Sequence, residues 1–194
     1  MKYLLIDTST NIMIIMLHVD GKLKGIKQRK AKSDHQAYII PLIDELLKEH
    51  NLNIKDIDTF IVGIGPGSYT GLRVSVMTAK MFSYTLKLNL MKVSSLLFLT
   101  SGYKEEVLAW HDARNNQGFS GFYLKGKLLD EEKVRHLNDL NGLEKEKLII
   151  LNEDTIKLDS NVIIKMSTLV EDVYNLVPNY LRKTKAELNL DQKS

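Results

Sequence analysis

The sequence predicts an α/β fold made of two sheet-bearing lobes, the second of them reduced. Three observations point to it. Strand-length apolar runs and helix-length segments follow one another in the order βββαβαβα up to about residue 100. A pattern of strand, Asp, turn, strand, Gly-Lys-Leu hairpin and strand then occurs a second time. Beyond Gly126 the regular elements thin out.

Lys2 to Ile6 is a short apolar run with the length of a buried strand, and Thr8 to Asn11 is a turn. Ile12 to Val19 is a second strand, and Asp20-Gly21 is a tight hairpin turn into a third. Ser33-Asp34-His35-Gln36 has capping-box spacing and opens a helix to about His50. Pro41 inside it should kink the helix or remove one hydrogen bond. Thr59 to Ile64 is a β-branched strand, Gly65 to Thr70 a loop, and about Gly71 to Leu88 a helix. A strand around Leu90 to Val93 and a short helix from Ser95 complete the first half.

Val107 to His111, ending at Asp112, opens the second half. A shift of 105 places Asp7 on Asp112, Gly21 on Gly126, Lys22 on Lys127 and Leu23 on Leu128 without a gap. So few identities are compatible with duplication and with chance alike. Duplication would give two similar lobes, 1–103 and 104–194, with a cleft between them. The remaining elements read as strands at Leu148 to Leu151 and Val162 to Lys165, a helix at Thr168 to Leu176, and a basic, polar tail from Pro178.

Composition narrows the chemistry. The 194 residues are 44% hydrophobic and 26% charged, ordinary for a globular protein, and a formal charge of +3 is too small to announce nucleic acid by itself. Cysteine is absent, which excludes disulfides, thiolate zinc sites and a cysteine nucleophile. The start, Met1-Lys2 and a short apolar run ended by Asp7, does not read as a signal peptide, and no apolar stretch has the length of a bilayer span. A cytoplasmic location is expected. The five histidines include no pair at i, i+3 or i, i+4, so no metal site is expected, and His35 in the first turn of a helix is expected to be solvated.

Gly65-Pro66-Gly67-Ser68-Tyr69-Thr70-Gly71 joins a strand to a helix, where unpaired backbone N–H groups sit at a positive helix end. Gly65, Gly67, Ser68, Thr70 and Gly71 could therefore cradle an anion. They could equally make a tight turn with Ser68 or Thr70 as the helix cap. The motif is not a Walker A loop, because Leu72-Arg73 follows Gly71. Asp7-Thr8-Ser9-Thr10 and Asp112-Ala113-Arg114 hold equivalent places at the ends of the first strands of the two halves. Paired turns of this kind hold ATP phosphates and their metal in the actin-like and sugar-kinase-like (ASKHA) fold. Here the glycine usual after the first Asp is replaced by Thr8-Ser9, and Gly142 is the only glycine after Gly126. A nucleotide-binding second lobe needs a glycine-rich loop for close backbone approach to adenosine. The site is therefore expected to be degenerate, with weak or absent ATP binding, no cofactor and no catalytic residue. An ATP-dependent phosphotransferase using Asp7 and Asp112 remains the alternative, and a simple tRNA-binding module a third.

Ile6-Asp7-Thr8-Ser9-Thr10, the stretch Gly65 to Arg73, Val93-Ser94-Ser95-Leu96, Asp112-Ala113-Arg114 and Asn179-Tyr180-Leu181-Arg182 occur in this order, and together they resemble the TsaB (YeaZ) family. The string Gly-Pro-Gly-Ser-Tyr-Thr-Gly-Leu-Arg is the specific part. The resemblance is dense over residues 1–125 and sparse afterwards. It implies a duplicated actin-like fold and pairing with TsaD, the related catalytic subunit, and with the ATPase TsaE. That machinery places threonylcarbamoyl on the adenosine beside the anticodon of tRNAs reading codons that begin with A. Nothing here matches the metal-binding histidine pair of TsaD, so the resemblance implies a partner without catalysis of its own.

Two helices bear on partners. Tyr38, Ile39, Ile40, Leu42, Ile43, Leu46 and Leu47 span roughly 200° of a helical wheel, wider than the stripe of about 100° that one packed face needs. On the next helix the only charges, Arg73, Lys80 and Lys87, recur every seven residues and fall near one line. Either the two helices cover each other and the sheet, or they form a bundle with a second subunit through these residues and Val74, Met77 and Met81. A homodimer in isolation would use the same face. Lys22, Lys24, Lys27, Arg29, Lys30 and Lys32 meet no acid in the intervening sequence. They read as protection of an edge strand, with a weak tRNA phosphate contact as the alternative.

Overall fold

Asp20 and Gly21, with φ of +48° and +79°, close the hairpin between β2 (Ile12–Val19) and β3 (Lys22–Lys30). Lys125 and Gly126, at +50° and +79°, close the matching hairpin between β7 (Gln117–Leu124) and β8 (Lys127–Leu128). Both turns are of the left-handed two-residue kind whose twist suits a hairpin. The computed structural model describes residues 1–181, so Arg182 and the tail beyond it lie outside the described residues.

β1 (Lys2–Asp7) pairs antiparallel with β2 and parallel with β4 (Thr59–Gly63). β6 (Glu106–Asp112) likewise pairs antiparallel with β7 and parallel with β10 (Leu148–Ile150). The sequence repeat is thus a repeat of topology. Six strands make the first sheet, with β5 (Asn89–Val93) beside β4 and the edge strand β3 at the far side. The second sheet is completed by β9 (Lys133–His136) against β7. Between β9 and β10 lie only two short 3₁₀ turns, Leu137–Leu140 and Lys145–Lys147, where the first lobe has helices. This is an α/β fold with two sheet-containing lobes.

The alternation of β2 sorts the core. Met13, Ile15 and Leu17 face a cluster shared with α1 (His35–Glu49) and α2 (Tyr69–Leu86), whereas Ile12, Ile14 and Met16 face one shared with α3 (Ser95–Thr100), β6 and β7. A strand covered on both faces needs an unbroken apolar run, which Ile12 to Val19 supplies apart from the buried His18. Each such side chain contributes about 1.5–3 kcal/mol of burial free energy.

Several sequence expectations need correction. Val162 to Lys165 is not a strand but part of helix α4 (Ser160–Met166), started by the Asp159 carboxylate accepting the amides of Asn161 and Val162 at 3.0 and 3.3 Å. Thr168 to Leu176 is not a helix. Thr168–Leu169 form β11, which pairs antiparallel with β5 and returns the chain to the first sheet, and the Asp172 carboxylate then accepts the Asn175 amide in a turn. The Ser33 to Gln36 capping box does not form. Asp34 is the cap residue, but its carboxylate is taken by both terminal nitrogens of Arg29, at 2.8 and 2.7 Å, and by the Lys32 amide. α1 runs on through Pro41, which lies on the solvent side, as does Ala37, whose carbonyl loses its helical donor. No helix among the described residues is long and apolar enough to cross a membrane.

Candidate functional site

The end of β1 and the glycine loop meet face to face. The Ser68 amide donates to the Ser9 carbonyl at 2.7 Å, and the Thr8 hydroxyl donates to the Gly71 carbonyl at 2.7 Å. A Cβ on Gly71 would stand 2.0 Å from the Thr8 carbonyl oxygen, so only glycine admits this approach. Ser68 caps α2, accepting the Gly71 amide at 3.3 Å. Gly65 is held from beneath by a reciprocal pair, its amide donating to the Ser95 hydroxyl and its carbonyl accepting the Ser95 amide, each at 2.9 Å. Gly67 lies against Ser9.

Asp7 sits beneath this contact and is fully buried, as are Thr8 and Ser9, with Thr10 nearly so. One carboxylate oxygen accepts the Ser9 amide at 2.8 Å and the Ser9 hydroxyl at 2.6 Å; the other has no partner. Gly63 closes the remaining side, where a Cβ would fall 1.8 Å from that second oxygen. Burial pushes the Asp7 carboxyl above the usual carboxylate range, while the hydrogen bonds from Ser9, the nearby Ser95 hydroxyl and the charge of His35 pull it back. The equivalent Asp112 is exposed, and its carboxylate accepts the Arg114 amide at 2.9 Å. The two aspartates that occupy matching places in the repeat thus have opposite environments. Among the described residues no group of three or more His, Asp or Glu side chains is placed to hold a metal ion.

Next to the sealed Asp7 an open cleft of about 420 Å³ runs between the first turn of α2 and the turn after β6. Thr10, Ser68, Thr70 and Gly71 line one part, His111 and Arg114 another, and Lys32 and His35 a third. His35 is not solvated. It is 7% exposed and its Nε2 lies 2.9 Å from the Thr10 carbonyl. Lys32, His35, His111 and Arg114 were not among the expected site residues, because only the fold brings them beside the glycine loop. The adjacency of Arg114 to Asp112 in the repeat was the available signal.

The expected interface residues divide in two. Ile39, Ile43, Leu46 and Leu47 are at most 2% exposed and belong to the chain's own core, so the interface assignment is corrected for these four. The wide apolar face of α1 is explained by its packing against the sheet on one side and α2 on another, with Leu42 and Val74 partly buried at the same cluster. Tyr38, Ile40, Met77 and Met81 stay exposed, and Tyr84, at 66%, joins the methionines. Met77, Met81 and Tyr84 line an apolar groove with Val173 and Tyr174. The charged line on α2 fastens the C-terminal segment there. Lys80 Nζ donates to the carbonyls of Tyr174 and Leu176 at 2.5 and 3.0 Å, and Arg73 donates to the hydroxyls of Tyr180 and Tyr69. Of the six basic residues around β3, Lys27 pairs with Glu45 and Glu49, Arg29 with Asp34 and Lys30 with Glu153.

A family model described as "TsaD: tRNA N6-adenosine threonylcarbamoyltransferase" matches residues 11–152. The tRNA threonylcarbamoyladenosine biosynthesis protein TsaB of Bacillus subtilis (strain 168) is 27% identical over 221 aligned positions, covering 96% of each chain. The protein of the same name from Buchnera aphidicola subsp. Schizaphis graminum is 27% identical over 148 residues, covering 73% of this chain and 70% of that one. The solved structure of YeaZ from Pseudomonas aeruginosa shares the fold, with a TM-score of 0.75 at 20% identity over 93% of this chain and 99% of that one. Matched by the family model over most of its length, the chain belongs to this threonylcarbamoyltransferase-related family, and within it to the TsaB (YeaZ) group.

Proposed function

We propose that the chain is a non-catalytic partner subunit of the machinery that forms threonylcarbamoyladenosine in tRNAs reading codons that begin with A. It binds a TsaD-like catalytic subunit, and through that complex works with a TsaE-like ATPase. The observation that carries this reading is the apolar groove on α2, where Met77 is 61% exposed and Tyr174 80% exposed beside Met81 and Tyr84. Large apolar side chains gathered in one groove favour a protein partner. The relatives named for threonylcarbamoyladenosine biosynthesis supply the pathway. The rival phosphotransferase reading requires both aspartates at a ligand, and Asp7 is fully buried behind Ser9 and Gly63.

Tyr38 and Ile40 on α1 are exposed as well, but they stand apart from the groove, Tyr38 lying under the Arg29 guanidinium of β3. The test is co-purification of a tagged chain with a TsaD-like protein, alone and as Met77→Glu/Met81→Glu. The parent should form a stable complex, and the doubly charged variant should stay folded and bind at least about tenfold more weakly, because two carboxylates would be buried against apolar surface. A variant that binds like the parent would remove the groove from the interface. Sizing of the parent alone tells whether the same face pairs two copies of the chain.

A further inference from the structure

We propose that Met77 and Met81 form a redox-sensitive modification site on α2, at which oxidation to the sulfoxides by a hydroperoxide blocks docking of the catalytic partner and reduction restores it. This rests on the reading of the α2 groove as the docking face.

The chain has no cysteine, so sulfur oxidation can fall only on its seven methionines. Those seven differ sharply in access. Met13 and Met16 are fully buried on opposite faces of β2, and Met91 and Met166 are half-buried against the core cluster shared with α3, β6 and β7. Met77 and Met81 are 61% and 46% exposed. Met1 is exposed as well, but its sulfur accepts the Tyr3 hydroxyl at 3.3 Å, whereas no described residue donates a hydrogen bond to the sulfur of Met77 or Met81. Their lone pairs are open to an oxidant. Positions four apart on a helix share one face, so both thioethers enter the same groove, whose wall continues with Tyr84, Val173 and Tyr174.

The chemistry needs one hydroperoxide per sulfur. With hydrogen peroxide, a sulfur lone pair forms the S–O bond as the O–O bond breaks, and the hydroxide released takes the proton of the transferred oxygen and leaves as water. Sulfur loses two electrons and the peroxide gains them. An apolar, flexible side chain becomes a polar one carrying a strong acceptor oxygen. The one charged side chain lining the groove, Lys80, is committed to the carbonyls of Tyr174 and Leu176. A sulfoxide oxygen would therefore meet an apolar partner surface with no cation free to answer it, and burying it there opposes docking. Both sulfurs are open in the free chain and covered once the partner is seated. Oxidation thus acts on the unassembled subunit.

The test treats the full chain with hydrogen peroxide and removes the peroxide before a TsaD-like protein is added, so that only this chain is oxidised. Peptide mapping should show Met77 and Met81 each gaining one oxygen ahead of Met13, Met16, Met91 and Met166. Capture of the partner should weaken at least about tenfold and recover after treatment with methionine sulfoxide reductases of both epimer specificities. Met77→Leu/Met81→Leu, compared with its own untreated sample, should bind equally before and after peroxide, with Met1, oxidised in both proteins, as the internal control. In the preformed complex Met77 and Met81 should resist peroxide while Met1 still reacts, a readout that needs no substitution. Oxidised parent that binds like the untreated one, an equal loss in the Leu variant, or oxidation of the two sulfurs at the same rate in the complex would each overturn the proposal. An untreated parent that never binds would instead overturn the docking reading, and this inference with it.

Discussion

Arg73 Nε donates to the Tyr180 hydroxyl at 3.2 Å, across 107 residues of chain, while its guanidinium lies 4.1 Å from the centre of the Tyr69 ring. The Tyr69 and Tyr180 rings are 4.7 Å apart, so one cation and two aromatics form a clasp. With Lys80 on the carbonyls of Tyr174 and Leu176, the clasp presents Tyr174 at the groove. Tyr180→Ala is expected to release this end of the strap, seen as severalfold faster proteolysis between residues 170 and 181 and weaker capture of the TsaD-like partner. Cleavage at the parent rate would show that Lys80 and the backbone bonds of Val170 to Leu90 and of Asn179 to Ile64 hold the segment without the clasp.

Asp7 gives a pH signature. Its folded-state pKa is raised by burial above the ordinary 3.8, so the native state holds the proton more tightly than the unfolded chain. Stability from this group is therefore fully present below about 3.8 and is lost as pH rises from there through the raised folded-state value. Asp7→Asn should be more stable than the parent at pH 7, the Ser9 hydrogen bonds being retained, and the gain should vanish below about pH 3.8. Chemical denaturation at both pH values checks it. A variant weaker than the parent at pH 7 would show that the carboxylate is needed by the fold.

His111 works in the opposite direction. Burial holds its pKa down at about 4, partly offset by Asp112, against 6.5 for the unfolded chain. The unfolded state binds the proton first, so stability present above 6.5 is lost as pH falls towards 4. Between pH 7 and pH 4.5 the parent should lose about 2 kcal/mol more than His111→Gln. Parallel denaturation curves for the two proteins would contradict this.

Two charged substitutions separate core from surface. Ile43→Glu places a carboxylate in the cluster between α1 and the sheet and should abolish cooperative unfolding at 37 °C, a cost of several kcal/mol. Met81→Glu, on the exposed side of α2, should leave the thermal midpoint nearly unchanged while weakening the complex. A folded Ile43→Glu protein that fails to bind would return Ile43 to the interface.

What the sequence disclosed, and what it hid, follows from the range of the forces involved. The meander, the glycine loop and both hairpins were legible because turn residues and strand alternation act within a few positions, as at Asp20-Gly21 and in the run Ile12 to Val19. The helix at Val162 was hidden by its β-branched composition, and the local Asp159 cap overrode it. β11 could not be read because its pairing partner, β5, lies about 76 residues away, as in the Thr168–Lys92 register. The fate of His35 depends on the Thr10 carbonyl, 25 residues earlier, and the wide apolar face of α1 depends on α2. Neither contact leaves a periodic trace.

The late arrival of β11 has a consequence for how the protein is made. A ribosome releases the chain from its N-terminus, and β5 waits with an open hydrogen-bonding edge until Leu169 has emerged. Through that interval the nascent first sheet carries an unpaired strand rich in apolar residues, the kind of edge that invites pairing between neighbouring chains. Synthesis of residues 94–167 therefore becomes a period of exposure. Slower elongation there should increase misassembly on polysomes, and a chain stopped before Thr168 should depend on chaperones far more than the completed one.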